Sequence, residues 1–433
     1  MLNMQQHPSA IASLRNQLAA GHIANLTDFW REAESLNVPL VTPVEGAEDE
    51  REVTFLWRAR HPLQGVYLRL NRVTDKEHVE KGMMSALPET DIWTLTLRLP
   101  ASYCGSYSLL EIPPGTTAET IALSGGRFAT LAGKADPLNK MPEINVRGNA
   151  KESVLTLDKA PALSEWNGGF HTGQLLTSMR IIAGKSRQVR LYIPDVDISQ
   201  PLGLVVLPDG ETWFDHLGVC AAIDAAINNG RIVPVAVLGI DNINEHERTE
   251  ILGGRSKLIK DIAGHLLPMI RAEQPQRQWA DRSRTVLAGQ SLGGISALMG
   301  ARYAPETFGL VLSHSPSMWW TPERTSRPGL FSETDTSWVS EHLLSAPPQG
   351  VRISLCVGSL EGSTVPHVQQ LHQRLITAGV ESHCAIYTGG HDYAWWRGLI
   401  FGGVNGSPGC AVDHCVRTDF SQNFCYGVLV CNI

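Results

Sequence analysis

The sequence has no run of about 20 apolar residues such as a membrane span requires. Its longest apolar stretches, LGLVVLP and IVPVAVLGI, have the length of buried strands. Positive charge is also in short supply. The chain carries 36 Lys and Arg against 43 Asp and Glu, a formal net charge of -7, which argues against a general nucleic-acid binder. An anionic ligand would need a local cluster of cations. The first residues lack the basic-then-apolar order of a secretory signal. The expectation is a cytoplasmic protein with neither nucleic-acid nor membrane partners. Cysteine is sparse through the main body, where Cys104, Cys220, Cys356 and Cys384 are scattered as reduced cytosolic thiols usually are.

What is present is a substantial apolar content, 43% of 433 residues, enough for a core and for two domains. From about 52 to 111, VTFLWRA, GVYLRLN, DIWTLTLRL and CGSYSLLEI alternate apolar and polar residues between Gly, Pro and Asp. That pattern predicts an antiparallel, Ig-like β-sandwich, with a helical lead-in over 1–45. No catalytic constellation lies in this half, which suits a substrate-gating or scaffolding role. Residues 112–165 are rich in Pro, Gly and polar side chains and read as a long connection. From about 170, strands alternate with helices: RQVRLYIP, LGLVVLP, IVPVAVLGI, RTVLAG, GLVLSHS, VRISLCVG and CAIYT, separated by amphipathic stretches. This predicts an α/β fold of the α/β-hydrolase type, a mostly parallel sheet with helices on both faces. Pro234 within one strand run is a local objection. The expected domains are 1–150, the sandwich, and 151–400, the hydrolase. An atypical tail, 401–433, follows, in which Cys410, Cys415, Cys425 and Cys431 crowd together. With His414 these thiols fit no usual zinc spacing, so no metal site is expected.

Gly289-Gln290-Ser291-Leu292-Gly293 is a G-x-S-x-G between an apolar β-branched run and a small-residue helix. A nucleophile elbow demands that strand–turn–helix setting. It makes Ser291 the candidate nucleophile and the Leu292 amide an oxyanion donor. Ser Oγ needs a base. His391, in Gly389-Gly390-His391-Asp392 after the last predicted strand, is the best placed, and the two glycines suit a loop that swings over the serine. His314, His342, His367, His372 and His383 are alternatives, of which His342, His367 and His372 fall on helical patterns and should be solvated. Glu361, on the loop after VRISLCVG, is the candidate triad acid, with Asp335 and Asp392 competing. The turn Asp209-Gly210-Glu211 after LGLVVLP offers a second oxyanion donor at Glu211.

The stretches LPDGETWF, IDNINEHERTEIL, DRSRTVLAGQSLGGISAL, LSHSPSMWW and GGHDYAWWRG resemble, in order, the blocks of the enterochelin (enterobactin) esterases. The likeness extends to the sandwich and covers nearly the whole chain up to about residue 398. It implies cytoplasmic hydrolysis of the trilactone of ferric enterobactin or of its glucosylated form, salmochelin. Ser291, His391 and Glu361 would be the triad. It implies no catalytic metal and no cofactor, iron entering only within the substrate. A ferric tris-catecholate is an aromatic trianion, so its pocket should offer cations and ring faces. Arg248, Arg255 and Lys257, with Trp213, Trp319, Trp320 and Trp395, lie close in sequence to the predicted catalytic loops. An aromatic-acid carboxylesterase or acyltransferase of the same fold, or a non-catalytic ferric-siderophore carrier, are the competing functions. Oligomeric state is not legible.

Overall fold

A computed structural model of the chain describes residues 8–75, 78–125, 130–147 and 150–401. The chain forms two compact units. Among the described residues, one comprises those up to 160 together with 388–395, and the other comprises 161–387 together with 396–401. The expectations for residues 402–433 lie outside the described residues.

The first unit contains strands β1 (Leu40–Val44), β2 (Ala47–Arg58), β3 (Gly65–Leu70), β4 (Ser85–Ala86), β5 (Ile92–Pro100), β6 (Cys104–Ile112), β7 (Ile144–Arg147) and β8 (Ala150–Thr156). They pair into two antiparallel four-stranded sheets, ordered β1-β2-β5-β4 and β3-β6-β8-β7. The period of two along β2 explains the layering. Val53, Phe55 and Trp57 point into a core shared with Leu68 and Leu70 of β3, Tyr107 and Leu109 of β6 and Leu155 of β8. Leu56 points the other way, into a second cluster with Leu14, Phe29 and Trp30 of the helices Pro8–Ala20 and Leu26–Ser35. The expected connection over 112–165 holds a short helix, Ala118–Ser124, and the pair β7/β8. Its strands escape a reading by composition because β8 buries only Val154 and Leu155 among its apolar positions, between Gly- and Pro-rich turns.

The second unit carries β9 (Gln174–Ile182), β10 (Lys185–Ile193), β11 (Gly203–Pro208), β12 (Val235–Ile240), β13 (Thr285–Gln290), β14 (Leu310–His314), β15 (Arg352–Gly358) and β16 (Ser382–Tyr387). They form one sheet in the order β16-β15-β14-β13-β11-β12-β10-β9. The strands from β16 to β12 are parallel, and the β9/β10 hairpin closes one edge antiparallel. Leu204, Val206, Leu287, Val311 and Leu355 enter a core with the helices Leu292–Tyr303 and Thr364–Thr377. Their neighbours Val205, Leu207, Val286, Ala288 and Cys356 are also buried, on the opposite face. Both faces are therefore covered, which is why these strands read as continuous apolar runs. Pro234 raises no objection, because β12 starts one residue later and the Pro234 carbonyl accepts from the Gly203 amide at 3.1 Å. The sequence reading missed β9, an edge strand whose Met179 and Ile181 face solvent. No helix among the described residues is long and apolar enough to cross a membrane.

Candidate active site

Ser291 stands where β13 ends and the helix Leu292–Tyr303 begins, with φ 59° and ψ -119°. A non-glycine residue held there is strained by roughly 1–3 kcal/mol, and the surroundings over-determine it. The Ser291 amide donates to the His314 carbonyl at 3.0 Å, and the Ser291 carbonyl accepts from Gly294 and Ser317 amides at 3.1 and 3.2 Å. A Cβ on Gly289 would fall 2.2 Å from the Gly293 carbonyl oxygen, so the turn can close only over glycine. The Leu292 amide opens the helix, where amide hydrogens have no intrahelical acceptor, as an oxyanion donor must. Ser317 Oγ lies 3.3 Å from Ser291 Oγ. This neighbour was not foreseen in the sequence, although it sits in SHSPS directly after β14.

Glu361, 5% exposed, follows β15. Its Oε1 accepts from Ser315 Oγ at 2.5 Å and from the Gly358 amide at 2.8 Å. Ser315 Oγ in turn accepts from Trp396 Nε1 at 2.8 Å, so a buried relay orients this carboxylate. Among the competing acids, Asp335 is held by the Ser332 amide at 2.7 Å, and that bond keeps its carboxyl below the ordinary range.

His391 belongs to the other unit. Thr388–Trp395 packs with the sandwich, where the Cys104 amide donates to the Thr388 carbonyl at 3.1 Å and Asn71 Nδ2 donates to the His391 carbonyl at 3.3 Å. Asp392 is buried and accepts from the Ser106 amide at 2.6 Å and the Ala394 amide at 2.8 Å. Burial pushes its carboxyl up to about 6. The alternative histidines are otherwise engaged. His314 is buried, and desolvation lowers its imidazole to about 3. The expectation that His342, His367 and His372 are solvated does not hold. His342 stacks on Trp338 and bonds Tyr303, His367 stacks on Phe331 and bonds the Ser332 carbonyl, and His372 bonds Ser382. His383 is half-buried on β16.

Between β11 and the elbow lies a buried polar clasp. Asp209, 1% exposed and at φ 60°, accepts from Arg248 Nε at 2.5 Å and Nη2 at 3.0 Å, Asn242 Nδ2 at 2.6 Å and Gln290 Nε2 at 2.8 Å. Glu211 is tied to the same Asn242, whose amide and Nδ2 donate to its carboxylate at 2.9 and 2.8 Å. Burial raises the Glu211 carboxyl above its ordinary value. The loops after β11 and β12 are thus fastened to the residue preceding the nucleophile. Thr212 and Trp213 amides turn back to the Asp209 carbonyl, so Gly210 and Glu211 head the turn.

This clasp gives the first of the three expected cations a partner within the protein. Arg248 is half-buried and spends Nε and Nη2 on Asp209, a buried carboxylate that requires a counter-ion. Arg255 lies half-buried with its guanidinium 5.2 Å from the Trp320 ring centroid and bonded to the Leu252 carbonyl, and burial lowers its pKa. Lys257 is exposed. The aromatic wall is corrected. Trp213 is 1% exposed beside Trp166, Trp320 packs edge-on against Trp338, and Trp395 donates Nε1 to the Gly390 carbonyl. Their rings are large apolar bodies and the core takes them; Trp319, partly buried against the main core, keeps some exposure. Among the described residues, no cluster of His, Cys, Asp and Glu could hold a metal ion.

Comparison with known proteins shows the family. A family model described as "Putative esterase" matches residues 181–406, and one described as "Enterochelin esterase, N-terminal" matches residues 52–166. The chain is 98% identical over 404 residues to an iron(III) salmochelin esterase of Escherichia coli O6:H1 (strain CFT073), covering 93% of this chain and 99% of that one. It is 28% identical to an iron(III) enterobactin esterase of Dickeya dadantii, over 91% and 94% of the two chains. Among solved structures, the enterobactin esterase of Shigella flexneri in the presence of enterobactin superposes with a TM-score of 0.74 at 26% identity. That match covers 88% of this chain and 97% of the other. The ferric enterobactin esterase of Salmonella typhimurium superposes with a TM-score of 0.73 at 26% identity, covering 84% and 95%.

Proposed function

The chain belongs to the enterochelin esterase family, and from that premise we propose that it hydrolyses the trilactone esters of ferric enterobactin and of salmochelin through Ser291. The observation that carries the reading is the strained conformation of Ser291 on an intact elbow. A carrier would have no use for that strain.

The chemistry follows from the groups available. Ser291 Oγ attacks an ester carbonyl of the trilactone while His391 takes its proton. The oxyanion is met by the amides of Leu292 and Glu211. Collapse expels the hydroxyl of the neighbouring serine unit, which receives the proton from His391. Water activated by His391 then releases the acyl group and restores Ser291. Glu361 fixes the imidazole tautomer and stabilises the imidazolium. Lys257 and Arg255 are the remaining candidates for meeting the anionic catecholates, and Trp319 for a ring face. Iron is cargo of the substrate, no cofactor enters, and the linear products would free it in the cytoplasm. The test is a product profile by mass spectrometry on cyclic and linear, plain and glucosylated enterobactin. Cleavage to dihydroxybenzoyl-serine units supports the reading. Binding of all four without cleavage would leave a carrier, and turnover of simple aromatic esters alone would leave a general carboxylesterase.

A further inference from the structure

The residue assigned as the base is held by the sandwich unit. The peptide Thr388–Trp395 lies against β6 and the turn after β3 so closely that side chains are excluded. A Cβ on Gly389 would fall 2.7 Å from the Cys104 carbonyl oxygen, and one on Gly390 would fall 2.2 Å from Asn71 Oδ1. The two glycines therefore serve close packing on this unit and not freedom of movement. Four further contacts fix the segment. The Cys104 amide donates to the Thr388 carbonyl, and the Ser102 and Thr388 hydroxyls meet at 2.7 Å. Asn71 donates to the carbonyl of His391 itself, and Trp395 Nε1 donates to the Gly390 carbonyl at 2.7 Å. Asp392, the next residue, is 3% exposed. One of its oxygens takes the Ser106 amide from β6, and the other takes the Ala394 amide within the segment itself. A carboxylate is buried only where such donors compensate it. Both of its oxygens face backbone amides of its own unit, which is the arrangement of an anchor.

We propose that Asp392 is a positioning residue that fixes the His391 loop on β6 of its own unit. This rests on the reading of His391 as the base. A general base must be held within about 0.5 Å of its productive position, and here the anchoring contacts just described come from the sandwich and from the segment itself. Asp392 touches no reacting atom. It acts through the backbone on either side of the histidine.

The experiment uses the full chain with His391→Ala, Asp392→Asn and Asn71→Ala, each measured on p-nitrophenyl acetate and on ferric enterobactin. His391→Ala should abolish turnover. Asp392→Asn should lower kcat about a hundredfold on both substrates, as a displacement of about 1 Å does, and leave KM nearly unchanged. Amides of residues 388–395 should exchange faster in that variant, while those of the helix Leu292–Tyr303 keep the wild-type rate. Asn71→Ala, which removes one donor, should cost about tenfold or less, and it carries the test should Asp392→Asn fail to fold. Wild-type kcat in Asp392→Asn and Asn71→Ala beside an inactive His391→Ala overturns the proposal alone. A rise in KM confined to the ferric complex also overturns it, since Asp392 would then be reading the substrate. Activity in His391→Ala overturns the base assignment instead.

Discussion

The two units hold their candidate catalytic residues by different means. In the α/β unit, Ser291 and Glu361 stand just past the ends of parallel strands, and the sheet's hydrogen bonds and a buried relay fix them. In the sandwich unit, His391 stands on a segment remote in sequence from the strands it packs against, and a buried carboxylate and two glycines fix it. Strand ends are rigid because the ladder is. A segment that adds itself to a sandwich is rigid only while its few side-chain anchors hold. Tolerance to mutation should therefore differ between the two. The nucleophile should survive changes around it that leave β13 and its helix intact, whereas single anchors decide the fate of the histidine loop.

The largest effect sharpens the first half of this comparison. Ser291→Ala should lower turnover by roughly 10⁴-fold or more while circular dichroism stays that of the wild type, and a variant that keeps most of its activity removes the nucleophile from the account. Arg248→Ala comes next. It leaves Asp209 buried without its counter-ion, a change that costs about 3–5 kcal/mol when one partner of a buried pair is removed. Denaturant melts should show the loss, and kcat should fall alike on neutral and ferric substrates. Weakening confined to the ferric complex would return Arg248 to the substrate pocket. Trp396→Phe removes one hydrogen bond from the Ser315–Glu361 relay and should cost about 1 kcal/mol, or up to tenfold in kcat. An unchanged kcat would mean that Glu361 is oriented without it.

The smallest effect sets the units directly against each other. Asp136 and Asp392, both in the sandwich unit, are pushed up from 3.8 to about 6 by burial. Between those values the folded state holds more protons than the unfolded chain, so this stability is present at low pH and lost as pH rises through 6. His314, under the elbow, is depressed from 6.5 to about 3 by burial. Here the unfolded chain holds more protons, so stability is present above 6.5 and lost as pH falls toward 3. Proteolysis resolved by fragment should find that His314 contributes a loss of stability to the α/β unit, and Asp392 and Asp136 a gain to the sandwich, on acidification from about pH 7 to 5, each read as the difference between wild type and the single variant. His314→Asn should flatten the slope of the α/β unit. A His314→Asn slope equal to that of the wild type would contradict the assignment.

Much of this was legible in the sequence. The strands β11–β14 announce themselves as apolar runs because they are buried on both faces, and the elbow is legible because its glycines have no substitute. What failed had a common cause: sequence shows residue type and neighbourhood but not the partner. Gly389 and Gly390 read as a hinge, and only β6 lying against them shows that they are a contact. Arg248 reads as a free cation because Asp209, its partner, is 39 positions away. The tryptophans read as a pocket wall because a ring suits a ligand and a core equally. Ser315 and Ser317 stand within LSHSPSMWW, where nothing in the sequence marks them as the neighbours of Glu361 and Ser291.

The central claim, that Ser291 is the nucleophile of a siderophore esterase, is tested most directly by covalent trapping. The full chain is treated with a fluorophosphonate, digested and mapped by mass spectrometry, and the same samples are assayed for cleavage of ferric enterobactin. The account predicts a single adduct on the peptide bearing Ser291, forming in step with the loss of trilactone cleavage and absent from Ser291→Ala. An adduct on another serine, or full cleavage by a chain modified at Ser291, would contradict it.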